Sequence, residues 1–196
     1  MSAAVGDTSP VGGWRLAEPA DAPFVYELIC RVDPRWWRFS REGLEPSAML
    51  GKIQSIAAGV LVHDSDGRPV AAAVLADAGA SGTGSFEYFA LPEPGPEAAA
   101  RHFAGEIIAA AFAGAPVRRL YHDRFESDVD LFGETAHLWE LEVVYPEFAM
   151  VEGRYETRTT AVLTRERFAE WTAANAAPLA PTEAAPCWWP RRPRGW

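Results

Sequence analysis

Lysine is almost missing from this chain: Lys52 stands alone among 196 residues, and arginine carries the remaining positive charge. With Lys+Arg at 18 and Asp+Glu at 27, the formal net charge is −9. That balance argues against broad nucleic-acid binding, which wants a basic face. Cysteine is scarce too, with only Cys30 and Cys187, far apart and in no ligand-spaced cluster. A disulfide framework is not expected, and a reduced, cytoplasmic setting is. His63, His102 and His137 are scattered, and no pair has the spacing of a metal site on one element, so no metal is expected. The chain lacks a run of about 18 apolar residues and a charged-then-apolar leader, so neither a membrane span nor a signal peptide is expected. Gly79, Gly82 and Gly84 do not make a nucleotide-binding fingerprint, because a strand rather than a helix follows them. A Gly-x-Ser-x-Gly elbow is also missing, which weighs against a serine hydrolase.

What is present suits one domain of ordinary size. Hydrophobic residues make up 48%, enough for a sizeable core. Residues 1–12 are small and polar and read as a loose tail. Residues 13–172 form the domain. Residues 173–196, rich in Pro, Trp and Arg, read as a disordered tail, with a docking peptide built on Trp188, Trp189 and Trp196 as the alternative.

Within the domain, Trp14–Ala17 reads as a strand. Asp21 then looks like a helix N-cap, with Pro23 in the first turn and Phe24, Val25, Leu28 and Ile29 on one face. Ser47 is placed to cap a second short helix through Met49, Leu50 and Ile53. Ala57–His63 and Pro69–Ala76 flank Asp64-Ser-Asp-Gly67, a hairpin signal. Phe86–Leu91 is a further strand. Pro92-Glu-Pro-Gly-Pro96 follows, then an amphipathic helix from Glu97 to Ala113 carrying Phe103, Ile107, Ile108 and Phe112. Gly114 and Pro116 supply its stop signal. Val117–Phe125 is the next strand, and Ser127 or Asp128 is placed to cap a helix reaching about Glu140. Two strands, Val143–Val151 and Arg154–Leu163, and a last helix from Thr164 complete the order. The fold class expected is α/β (α+β), with a mixed, mostly antiparallel sheet and helices on both faces. The strand–helix–strand unit at 86–125 must be parallel and right-handed if its strands are neighbours.

Three segments carry a family likeness: Trp14-Arg-Leu-Ala-Glu-Pro-Ala-Asp21; Pro94-Gly-Pro-Glu-Ala-Ala99 with the Phe103–Phe112 helix; and Phe148 to Phe168. In this order they resemble the GNAT N-acetyltransferase superfamily, near its ribosomal-protein-acetylase-like branch, over about Trp14–Trp171. The resemblance implies an acyl-CoA N-acyltransferase-like fold. It also implies transfer of an acyl group from acetyl-CoA or another acyl-CoA to a small-molecule or peptide amine. No nucleic-acid or membrane partner is implied, and a homodimer is allowed for. The family splays two parallel strands, here Phe86–Leu91 and Val117–Phe125, to hold the pantetheine of the cofactor beside Phe89 and Leu91. Its pyrophosphate rests on loop amides, here those of Gly95, Glu97 and Ala98, since Pro94 and Pro96 have no N–H to give. Glu93 and Glu97 add negative charge at that spot.

A carboxylate in an apolar strand has its protonated form favoured, which suits Glu87 as base toward an ammonium nucleophile; a solvent-facing or salt-bridged residue is the alternative. His122 on the facing strand can shuttle a proton, or can be a hydrogen-bonded structural residue. Where the family has Asn and Tyr after its fifth strand, this chain has Phe132 and Trp139, and Tyr145 is the substitute acid. Tyr26, Trp36, Trp37 and Phe39 fall where the family shapes its acceptor pocket. The second functional reading is the same scaffold with acetyl transfer lost, serving as a binding or accessory protein or running other chemistry.

Overall fold

The computed structural model describes residues 14–32, 45–65, 68–78, 81–151 and 153–175. The expectations for residues 1–12, for Trp36, Trp37 and Phe39, and for residues 176–196 lie outside them. Seven strands form one sheet in the order β1-β2-β3-β4-β5-β7-β6. They are β1 Trp14–Leu16, β2 Ala57–Ser65, β3 Arg68–Ala76, β4 Thr83–Ala90, β5 Arg119–Phe125, β6 Glu140–Val151 and β7 Arg154–Thr164. All neighbours pair antiparallel except β4 and β5, which are parallel. The helices are α1 Ala22–Val32, α2 Pro46–Ile56, α3 Pro94–Gly114 and α4 Arg165–Asn175. The mixed, mostly antiparallel sheet with helices on both faces is therefore as the sequence implied.

Alternation along the strands divides the core in two. On one face Val25, Leu28, Met49, Leu50 and Ile53 from α1 and α2 meet Val60, Val62, Val74 and Phe89. On the other, Ile107, Ile108 and Phe112 of α3 meet Leu61, Leu75, Phe86, Tyr88 and Leu120, and Phe168 of α4 joins them. Because helices cover both faces, β3 is buried without a break from Ala71 to Leu75. Ala71, Ala72 and Ala73 let two helical layers approach the same strand.

Local signals differ from expectation in four places. Asp21 caps nothing ahead of it; its carboxylate turns back to accept from the Glu18 N–H at 2.7 Å and from both Arg15 terminal nitrogens at 2.6 and 2.7 Å. The Arg15 guanidinium holds that carboxyl below the usual range. Pro46, with no N–H to leave unpaired, opens α2, so Ser47 falls inside it. The helix expected from Ser127 to about Glu140 is absent. Asp128 instead accepts from the Phe125 N–H at 2.6 Å, closing a turn, and only a short 3-10 segment, Gly133–Leu138, follows. Finally, α3 ends without a left-handed glycine. Arg165 takes the Phe112 carbonyl of the last turn of α3 and two carbonyls just beyond it, donating through Nη2 to Phe112 O, to Ala115 O at 3.0 Å and to Val117 O at 2.8 Å. The same guanidinium stacks over the Phe112 ring at 5.1 Å. Thr164 does cap α4, accepting from the Arg167 N–H at 3.2 Å.

Candidate functional site

The site is built where β4 and β5 part. Their parallel pairing covers Thr83–Ser85 against Arg119–Tyr121 and goes no further, although β4 runs on to Ala90 and β5 to Phe125. The β4–β5 ladder thus ends at Ser85, while the other edge of β4 stays paired with β3 through Ala71–Ala76.

Glu87 lies just past the divergence. It alternates with Phe86 and Tyr88, which belong to the α3 side, and pairs across β3 with Val74, which belongs to the α1–α2 side. Its side chain therefore enters the α1–α2 face, where it is 4% exposed and accepts from Ser85 Oγ at 3.2 Å. Phe89 and Leu91 follow on the same face, and Tyr26 of α1 packs against that cluster. Glu87, Phe89 and Leu91 thus lie on the face of the sheet that α1 covers with Tyr26. Asp123 of β5 shares this face, gripped by Arg158 and by the Thr160 hydroxyl of β7. Arg158 in turn lies over the Phe148 ring at 4.9 Å and the Tyr145 ring at 5.6 Å. Sequence reasoning did not find this cluster. Its signal is the antiparallel register of β5 and β7, which places Asp123 opposite Thr160 and cannot be read from either strand alone.

His122 points the other way, into the α3 side. Its Nδ1 is 2.9 Å from the Phe86 carbonyl oxygen, the first β4 carbonyl beyond the last paired residue. A carbonyl only accepts, so Nδ1 carries the proton. The ring meets Phe132 edge-on at 4.8 Å and Trp139 at 5.9 Å, and Trp139 stacks on Phe86 at 6.2 Å. Burial holds the imidazole below its ordinary range, against a smaller opposing effect from the Phe86 carbonyl. A neutral ring with its Nδ1 proton committed to a backbone carbonyl seals the apex of the split.

Tyr145 is not brought to this point. It is on β6, separated from β4 by β5 and β7. At the usual strand spacing that is about 14 Å between backbones, beyond the reach of a tyrosine side chain. Tyr88 is nearer, but its hydroxyl donates to Ala100 O at 2.8 Å, and burial pushes its ionisation far up.

The loop after β4 leads straight into α3, with Glu93 at the N-cap and prolines at the helix start. The Glu97 N–H, expected to be free for an anion, bonds the Glu93 carbonyl at 3.0 Å, and the Glu93 N–H bonds the Leu91 carbonyl at 2.8 Å. Ala98 is the fifth residue of α3, already within the i to i−4 ladder. Gly95 keeps its N–H at the first turn. Arg101 is drawn to Glu97 at 3.1 Å and to the Asp130 carbonyl at 2.9 Å. A groove of about 560 Å3 runs between α3, the 3-10 segment and α4, lined by Arg101, Gly105, Glu134, Phe168 and Trp171. It lies on the α3 side of the sheet, apart from Glu87. Among the described residues no cluster of His, Cys, Asp and Glu is arranged to hold a metal ion, and no helix is long and apolar enough to cross a membrane.

A mixed seven-stranded sheet with a parallel pair that splays in its middle, and a helix starting from that split, defines the fold of the GNAT N-acetyltransferases. No protein-family model and no curated protein matches the chain. Solved structures do. A mutant form of the spermidine N-acetyltransferase of Vibrio cholerae superposes with a TM-score of 0.65 at 15% identity, covering 81% of this chain and 98% of that one. The ribosomal-protein-alanine N-acetyltransferase of Brucella melitensis gives 0.61 at 13% identity, covering 77% and 98%. The Salmonella typhimurium protein yncA, solved with its cofactor acetyl-CoA, gives 0.62 at 15% identity, covering 77% and 92%. At these identities the likeness is one of fold.

Proposed function

We propose that this protein is an N-acyltransferase that moves an acyl group from a thioester donor of the acyl-CoA class to an amine of a small molecule or peptide, in a reduced, cytoplasmic setting. One observation carries the proposal: the β4–β5 ladder stops at Ser85 and Tyr121, and a buried carboxylate, Glu87, stands next to the opening. The fold's solved neighbours include N-acetyltransferases, one of them holding acetyl-CoA, which supports it.

In this reading Glu87 takes a proton from the incoming ammonium. The freed amine nitrogen attacks the thioester carbonyl carbon, the C–S bond breaks, and the sulfur leaves as thiolate. The second nitrogen proton is lost, and the thiolate is protonated from solvent. Tyr26 stands on the acceptor side, and the β4 backbone near Phe89 and Leu91 meets the donor. Tyr145 and His122 stay outside the chemistry, one for its distance, the other because its Nδ1 proton is committed to Phe86.

A second reading has a specific observation in its favour. Phe132 and Trp139, at the positions where the resembled family has Asn and its thiolate-protonating Tyr, pack into the core beside His122. A binding or accessory protein on the same scaffold would carry such a replacement. Incubation with acetyl-CoA and a panel of amines and peptide N-termini, read by mass spectrometry, separates the two. Acyl transfer that falls by about 10²–10⁴ in Glu87→Gln supports the first reading. No product with any amine, with no rise in melting temperature at saturating acetyl-CoA, supports the second.

A further inference from the structure

We infer that the chain does not grip the diphosphate end of an acyl-CoA, and that it recognises its donor through the acyl-pantetheine arm. The inference rests on the transfer reading above and narrows its donor. The two halves of the donor meet very different surfaces. Where the diphosphate belongs, between β4 and the first turn of α3, every amide from Pro92 to Ala98 can be accounted for. Pro92, Pro94 and Pro96 have none. Those of Glu93 and Glu97 are bonded to Leu91 O and Glu93 O. That of Ala98 is in the helix ladder. Gly95 alone is left. An anion cradle works by converging several N–H groups on one point, and one N–H does not converge.

Charge points the same way. Glu93 is exposed at the helix start, and Glu97 follows within the first turn. Among the described residues, the cation one turn on, Arg101, is held by Glu97 and Asp130 O. Carboxylates at a helix N-terminus favour its dipole, and they occupy electrostatically the place a diphosphate would take.

The split offers the arm something else. The β4–β5 ladder ends at Ser85 while β4 runs on to Ala90. Pantetheine is an extended chain with two amides, and such a chain can pair with a β-strand through main-chain hydrogen bonds. His122 engages Phe86 O at the apex of the split.

The test compares acetyl-CoA with S-acetylpantetheine, which has the same thioester arm and no diphosphate. With one amine acceptor, kcat/KM for the two donors is expected to agree within about threefold. A preference of thirtyfold or more for acetyl-CoA overturns the inference and leaves the transfer reading standing. If neither donor yields product, the transfer reading falls. The inference is then decided by calorimetry with CoA, pantetheine and adenosine 3′-phosphate 5′-diphosphate. Equal binding of CoA and pantetheine, with none of the nucleotide, upholds it. Binding of CoA at least tenfold tighter than pantetheine, or of none of the three, overturns it. The double variant Pro94→Ala, Pro96→Gly returns two N–H donors to the first turn. It is expected to shift the donor ratio several-fold toward acetyl-CoA, and an unchanged ratio counts against the donor account.

Discussion

Replacing His122 by phenylalanine separates a proton carrier from a structural seal. The ring keeps its approximate volume, so contacts with Phe132 at 4.8 Å and Trp139 at 5.9 Å survive. What is lost is the Nδ1–H donor to the Phe86 carbonyl at 2.9 Å. That carbonyl is at the end of the β4–β5 pairing, and Phe86 is buried with 1% exposure, so water does not readily replace the donor. An acceptor left buried and unpaired costs about 1–3 kcal/mol. Urea unfolding at pH 7.5 should show a loss in that range with an unchanged m value. Acyl transfer by the folded variant should stay within about threefold of the parent, because general acid–base residues contribute about 10²–10⁴ and His122 is not one. A stability loss below about 0.5 kcal/mol, or an activity loss of a hundredfold in a variant that is fully folded, would refute the reasoning.

The same imidazole makes stability pH-dependent. Its folded pKa lies below the ordinary value near 6.5, so the folded state binds fewer protons than the unfolded one once pH drops under that value. Its contribution is complete above about pH 6.5 and is lost as pH falls toward the folded pKa; unfolding midpoints at pH 5–8 should show the gap between parent and His122→Phe narrowing on acidification. Arg165→Met removes charged donors from the Phe112, Ala115 and Val117 carbonyls, bonds that individually contribute about 1.5–3 kcal/mol; since part of the site can rehydrate, a net loss of about 3–4 kcal/mol, on the order of 10 °C in Tm, is expected by calorimetry. Gly133→Ala places a Cβ 2.6 Å from the Arg101 carbonyl oxygen at a φ of +51°, and should destabilise by more than about 2 kcal/mol in a thermal melt.

The strands and the long helix were legible because burial imposes a period on them. Phe86, Tyr88 and Ala90 on one face of β4, and Glu87 and Phe89 on the other, follow from alternation once two helical layers are allowed for. What sequence could not supply were partners chosen by tertiary geometry. Asp21 has every mark of a forward N-cap, yet Arg15, brought beside it by β1, takes its carboxylate backward. Gly114 and Pro116 announce the end of α3, but carbonyls at that end are satisfied from fifty residues away by Arg165. Asp128 carries a capping side chain and uses it on a turn, so the helix expected there never starts. The site divides along the same line: Glu87 was visible on its strand, whereas Asp123, Arg158 and Thr160 become one cluster only through the β5–β7 register.

The prolines of the 92–96 loop act on fold and binding at once, in opposite senses. Pro94 occupies the first position of α3, where a fixed φ favours helix entry and a missing N–H costs the helix nothing. Pro96 adds the same restraint one residue beyond Gly95. Glu93 and Glu97 complement the dipole, and Glu97 gains Arg101 one turn on. Each of these choices stabilises the start of a 21-residue helix that packs against β3 and β4. Each also withdraws something an anion needs, either a donor or positive potential. A helix start optimised for its own stability is thus a poor diphosphate cradle for a physical reason, not an incidental one. The split beside it is set by strands held elsewhere in the sheet, β4 by β3 and β5 by β7, and is untouched by that choice.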